Sequence, residues 1–469
     1  MTDRLRALAR GMVLIPFLLV GCDGIESLLA GCRPPSETDT YAFGVEWTRV
    51  VQGNQTPSNM APILADTPTG IEVLLTMLDG TLAPRIFDIH ATVDVAVDDE
   101  PVGSLDLELG CVRAERSAIR GTIPGAWIQP GTQVRVALRS ASSNVSVPTE
   151  TIVIEPFVTQ VPVLEITIVP LVVGGESPDR SRAIYEHWLE AAQRTFAVAA
   201  YDLEILPPLD LDLGDECTVD TKFAALGELW FHQTTLESER FFVGVLPCRV
   251  GGVAFTPGFV QVTSPGVETT RVFLHELGHN LSLRHAPCNE PPGVDPNYPY
   301  SGGVVGLPGF DVGTETWIPA TAADLMGYCQ GASLSDYHYA RSARYRMTQE
   351  RPPVLESLDH EPGSISVIVQ GEVRPDGTMR VTHAARMHEP TRRRAARADD
   401  AVPAVVIDII GRDGTVLVRR EADLVDIDHV DSRLFSARFG LTEADGLAAT
   451  HVRVSYGDAR ASLALVDGD

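Results

Sequence analysis

Long apolar runs are almost missing from this sequence. The one near its start, Met12 to Val20, falls well short of the ~20 residues that a membrane-spanning helix requires. Cationic side chains are scarce too: 37 Lys and Arg face 63 Asp and Glu, a formal net charge of −26. Such a surface repels nucleic acid and anionic membrane faces and favours solubility. Cysteine is sparse, and no two of the seven show the Cys-x₂₋₄-Cys spacing of a four-cysteine zinc site. Nothing repeats at a period of roughly 20–50 residues, which argues against solenoids and propellers.

What is present reads as a folded, multidomain chain. Its 469 residues are 44% hydrophobic and 21% charged, a globular balance in a chain too long for one ordinary domain. Glycine and proline are scattered through alternating Val/Ile/Leu stretches, a loop-rich and strand-rich pattern. Residues 1–22 read as a lipoprotein signal peptide, with Arg4, Arg6 and Arg10 before the apolar run and Leu19-Val20-Gly21-Cys22 as the processing box. A second box ends at Cys32, but Asp23 and Glu26 would then sit in the apolar region. Lipidation at Cys22 leaves six cysteines able to pair, whereas lipidation at Cys32 leaves five, so Cys22 is the expected anchor. This predicts an exported chain, held at the bacterial cell envelope or surface by lipid alone.

Residues 23–40 form a tether. The segment 41–165 alternates in the manner of strands, as in Ala91 to Val97 and Thr132 to Leu138, and predicts a β-sandwich-like domain. His90 stands alone there and reads as structural. Residues 166–350 change character: Tyr185, Trp188, Leu189, Ala192, Phe196 and Ala199 fall at helical spacing. Apolar strands follow at 241–246 and 253–262, then a second helix, a Gly/Pro/Tyr-rich loop from Ala286 to Pro319, and a short helix around Ser335 to Arg346. Residues 353–469 return to strands and predict a second β-sandwich-like domain. The run Arg392 to Arg397 within it reads as a solvated loop. The fold class expected from this plan is multidomain α+β.

The chemistry is concentrated in His275-Glu276-Leu277-Gly278-His279-Asn280-Leu281-Ser282-Leu283-Arg284-His285. Histidines four apart on a helix lie about 40° apart around the axis and one turn along it, so both imidazoles can reach one tetrahedral zinc ion. Glu276 points about 100° further round. It is misplaced for a third ligand but well placed to act on a metal-held water as general base. Phe273, Leu277 and Leu281 give the same helix a core-facing side. By composition the five-residue pattern arises by chance in roughly 2% of chains this long, and His285 at its fixed offset lowers that to roughly one in two thousand.

These residues resemble the metzincin clan of zinc metallopeptidases, whose extended motif places a third zinc histidine where His285 stands. Asp324-Leu325-Met326-Gly327-Tyr328-Cys329 is similar to the clan's Met-turn. By that resemblance Met326 floors the three imidazoles and Tyr328 is a switchable ligand or an oxyanion-stabilising hydroxyl. His285-Ala286-Pro287-Cys288, Tyr298-Pro299-Tyr300 and Ser335-Asp336-Tyr337 resemble a family of bacterial exported metalloproteases with relatives among mucin-directed enterobacterial enzymes. The likeness covers about 165–345 and implies a metzincin-like catalytic domain, a mixed sheet with an active-site helix. Where the clan usually has glycine, after the second histidine, this chain has Ser282, which implies a Cβ at positive φ at a cost of ~1 kcal/mol. If ligand helix and Met-turn converge, Cys288 and Cys329 come close enough for a disulfide bracing the pocket wall. Cys217 could pair with Cys248, and elimination leaves Cys32 with Cys111. By clan resemblance, Val253 to Val262 supplies the strand edge that binds extended peptide.

The expected function is zinc-dependent hydrolysis of extracellular protein or glycoprotein. One catalytic Zn²⁺ activates the water, and Glu276 is the base. The alternatives are a catalytically weak or inactive surface-binding lipoprotein with a structural zinc site, and a zinc hydrolase for a non-peptide amide or ester.

Overall fold

The computed structural model describes residues 39–348 and 365–467, apart from 54–60, 79–84, 87, 110, 113–115, 180, 212–217, 236–239, 265–268, 388–404, 423 and 427–432. The N-terminal part is built from two four-stranded sheets. One orders its strands Val145–Ser146, Tyr41–Val51, Thr69–Met77, Arg116–Ile123; the other orders Ile152–Ile154, Thr132–Ser140, Ile89–Val97, Glu100–Glu108. The two-residue period is plain in Ile89–Val97, where Ile89, Ala91, Val93 and Val95 are buried while His90, Thr92 and Asp94 are not. Ile71, Val73, Leu75 and Ile119 from the first sheet share one apolar cluster with Val93, Val134 and Val136 from the second.

The middle part carries a six-stranded sheet, with its elements in chain order β1 (Leu164–Val172), α1 (Arg182–Thr195), β2 (Tyr201–Ile205), β3 (Leu209–Asp210), α2 (Val219–Thr235), β4 (Phe241–Val245), β5 (Val253–Ala254), β6 (Val260–Thr263) and α3 (Thr269–Asn280). The ladder runs β2-β1-β4-β6-β5, with β3 on the end of β1. All its pairings are parallel except β5 with β6. Parallel strands need helical crossovers that cover the sheet, and their β1 reads accordingly as a nearly continuous buried run. Trp188 of α1 stacks on Phe273 of α3 with ring centroids 5.3 Å apart. Fully burying side chains such as Phe273 and Leu277 contributes about 1.5–3 kcal/mol each. A last helix, α4 (Asp336–Thr348), follows the loop region.

The C-terminal part consists of a five-stranded and a four-stranded sheet. Their inner residues, among them Val367, Val369, Ile407, Ile409, Phe435 and Val452, form a cluster drawn from residues 367–465 alone.

The structure corrects the expected fold class. Among the described residues strand accounts for 46% and helix for 19%, with the strands in eight sheets, so the chain is β-rich rather than a multidomain α+β protein centred on a metzincin-like catalytic domain. The helical periodicity in the sequence is real but confined to a few short elements, while alternating Val/Ile/Thr stretches dominate on either side. The stretch 253–262 is likewise two strands rather than one. The cis Thr256-Pro257 bond and Gly258 lie in the turn between them. The helical spacing that the sequence carries on to Ala199 is cut short: the first helix ends at Thr195, and β2 begins at Tyr201. Helix α2 had no counterpart in the sequence reading.

Candidate metal centre

Helix α3 delivers two of the three histidines. Its inner side sets Phe273 and Leu277 into the core, and every residue from Phe273 to Asn280 is buried. The helix stops through a Schellman cap. Ser282 N–H donates to His279 O at 2.9 Å and Leu283 N–H to Gly278 O at 3.0 Å, with Ser282 at φ 72°. That left-handed residue reverses the chain and returns His285 toward the helix.

The three rings then meet. His275 Nε2 lies 3.2 Å from His285 Nε2 and 3.1 Å from His279 Nε2. Each Nδ1 faces a backbone carbonyl: Leu325 O at 3.0 Å for His275, Leu283 O at 2.8 Å for His279, and Pro292 O for His285. A carbonyl can only accept, so each Nδ1 must carry its ring's proton. In the neutral rings all three Nε2 atoms therefore present lone pairs to one point, and none can donate to another. Tetrahedral coordination at 2.0–2.1 Å would set such nitrogens about 3.3 Å apart, close to the separations seen. His275, His279 and His285 thus form a group that can hold a metal ion, with carbonyls orienting each ring in the way that metal-binding histidines require.

Glu276 is buried on the same helix. Gly252, just before β5, lies so close that a Cβ there would run into the Glu276 carboxylate. Lys222 of α2 donates from Nζ to Gly252 O at 2.8 Å, holding this approach in place. Asn280 clamps the β5–β6 turn to the ligand helix, since its Nδ2 donates to Phe255 O at 3.1 Å and to Val260 O at 3.0 Å. Sequence reasoning assigned no role to Gly252, Lys222 or Asn280. The position of Asn280 beside His279 was the one available signal.

Met326 is fully buried against Gly278, where any Cβ would strike its sulfur. The Tyr328 ring centroid is 5.1 Å from that of His285 and 6.1 Å from that of His275. Cys288 and Cys329 are disulfide-bonded, and Tyr328 N–H donates to Cys288 O at 3.0 Å. Cys248 is also disulfide-bonded; its expected partner Cys217 lies outside the described residues, as do Cys22, Cys32, the Cys111 side chain and Arg392 to Arg397. His90 pairs with Asp88 at 2.7 Å on the surface, away from this group.

Asp324 organises the turn that carries Met326. Fully buried, its carboxylate accepts from Met326 N–H (2.8 Å), Ser335 N–H (2.7 Å), Tyr298 Oη (3.0 Å) and the His338 ring (3.1 Å). Burial alone would raise its pKa, but the His338 ring and the two amides outweigh that and hold it below the ordinary carboxylate value. Burial, and then the Asp324 charge, push the Tyr298 hydroxyl far upward, so it stays a donor. The motif tyrosines meet here as well: Tyr300 Oη donates to Asp336 at 2.6 Å, and Tyr337 Oη to Asp295 at 2.9 Å.

No family model and no curated protein matches the chain. Among solved structures it is similar to a chaperone–substrate complex (12% identity, 44% of this chain and 39% of that one, TM-score 0.27). A second is the CARDB domain of a Pyrococcus furiosus protein in complex with di-metal ions (12%, 27% and 98%, TM-score 0.17). A third is a calcium-binding mutant of Bacteroides uniformis beta-glucuronidase 2 (8%, 91% and 62%, TM-score 0.18). The chain spans well under half of the first of these, and at such TM-scores none assigns a fold or an activity.

Proposed function

We propose that the chain is a zinc-dependent endopeptidase acting on extracellular protein or glycoprotein, with a site of metzincin type in its ligands rather than in the architecture of the whole chain. The observation that carries this reading is the convergence of three Nε2 lone pairs whose Nδ1 atoms are committed to carbonyls. Three imidazoles with a buried carboxylate one residue along the helix are the donor set of a catalytic zinc site. A structural site has no need of that carboxylate. His275, His279 and His285 would hold the ion, which when bound supplies Lewis acidity toward a substrate carbonyl and a water.

The Glu276 carboxylate accepts the proton of the attacking water and returns it to the leaving nitrogen. Gly252 leaves room for that carboxylate. The Tyr328 hydroxyl, carried beside the His285 ring, donates to the oxygen that gains charge. Strand β5 is the last of its ladder, so an extended peptide can add to it by backbone hydrogen bonds. Export and lipid anchoring at Cys22 belong to the same proposal.

The test is casein or mucin cleavage, with metal content read by mass spectrometry. Glu276→Gln should abolish cleavage and retain one zinc per chain; His285→Ala should lose both. Undiminished cleavage by Glu276→Gln would sink the mechanism.

A further inference from the structure

The loop joining His285 to Met326 is an arm with a root and a tip. At the root, Val305 N–H donates to Ala322 O (2.7 Å), Gly306 N–H to Ala320 O (2.8 Å) and Asp324 N–H to Gly303 O (2.8 Å). At the tip, Gly309–Asp311 pairs antiparallel with Thr316–Ile318. The root is therefore continuous with the turn that carries Met326, and with Leu325, whose carbonyl orients His275.

The N-terminal sheets grip the tip. Gly53 and Phe310 exchange two backbone hydrogen bonds, at 2.8 and 2.6 Å, and Phe310 is fully buried. Arg49 donates to Pro308 O at 2.5 Å and to Glu72 at 2.8 Å. Arg120 grips the other Glu72 oxygen at 2.9 and 2.7 Å, and its guanidinium lies 4.7 Å from the centre of the Trp317 ring. Glu72 is 1% exposed, and a buried carboxylate shared by two forked guanidiniums is a geometrically specific contact. Gly70 allows the close approach, because a Cβ there would come within 2.9 Å of the Phe310 ring. The tip is also held by a two-pronged Arg194–Asp311 pair from α1.

We propose that the N-terminal sheets are a fixed brace of the arm, in which the Arg49–Glu72–Arg120 triad and Trp317 position the His285-to-Met326 segment and so set substrate affinity. These are positioning residues, and no one of them touches the histidines. The kinetic part of this inference rests on the peptidase reading; the mechanical part does not. A removable or inhibitory N-terminal segment is the opposite arrangement.

The test compares the full-length wild type with Arg120→Ala, which removes the cation over Trp317, and with Gly70→Ala, which wedges the tip and leaves every charge in place. Hydrogen exchange should quicken on the order of tenfold in residues 286–319 and stay unchanged in α3 and in residues 365–467, with metal content unaltered. On a peptide substrate KM should rise on the order of tenfold while kcat stays within about twofold. Faster exchange confined to residues 41–158 would overturn the proposal, and so would a gain in kcat/KM, which would mark the N-terminal part as a brake. A wild type without peptidase activity would instead remove the peptidase reading and leave the exchange result to decide this one.

Discussion

An imidazole that has committed Nδ1–H to a carbonyl has one functional atom left, and three such rings leave three lone pairs in one small volume. That arrangement is unfavourable without a cation, so the residue-scale chemistry is set before any substrate is considered. Ser282 is a costly residue in building it, since its Cβ is held at φ 72°. Ser282→Gly should relieve ~1 kcal/mol of left-handed strain, partly offset by the freer unfolded chain. We expect a net gain of roughly 0.5 kcal/mol, seen as a higher melting temperature of the metal-loaded protein. A fall in melting temperature would mean that the serine hydroxyl makes a contact the cap depends on. The histidines, Glu276 and the Ser282 position were legible in the sequence because they lie within eleven consecutive residues whose geometry one helix and one cap determine. Asp324 was not, because its four partners come from segments up to 26 residues away that only the fold assembles.

At the scale of elements, two polar side chains reinforce joints between neighbouring elements. Asn280 ties the β5–β6 turn to α3, and Asn280→Ala would leave Phe255 O and Val260 O without that amide. The expected loss is about 2 kcal/mol, or ~1 for each hydrogen bond, measurable by urea unfolding; no loss would show that water replaces the clamp. The sequence reading of one strand over 253–262 missed this turn because apolar residues on either side of Pro257 mask it, and a short run does not reveal where pairing reverses. Asp324 ties the Met326 turn to α4. Its folded pKa lies below the unfolded value of about 3.9, so its contribution is complete above that pH and fades as the pH falls through the folded pKa. Asp324→Asn should cost about 3 kcal/mol near neutrality. In chelator-treated protein, the gap between wild type and variant should narrow below about pH 4. A gap that widened toward acid would contradict the depressed pKa.

Across the whole molecule the apolar clusters determine what unfolds with what. The C-terminal cluster is composed of residues 367–465 only. The cluster beneath the ligand helix, by contrast, includes Leu64 from the N-terminal part, and the tip of the arm is bonded to Gly53 and Arg49. The N-terminal and middle parts should therefore melt as one cooperative unit and the C-terminal part as another, giving two calorimetric transitions. Metal binding stabilises only the unit that holds the histidines. At a free metal concentration a thousand times Kd this amounts to about 4 kcal/mol. Chelation should accordingly lower one transition by several degrees and leave the other in place. If both transitions moved together, the C-terminal sheets would have to be coupled to the metal centre. If the transition of the metal-holding unit split in two, with the N-terminal sheets melting first and the middle part retaining its metal, the arm would not join them.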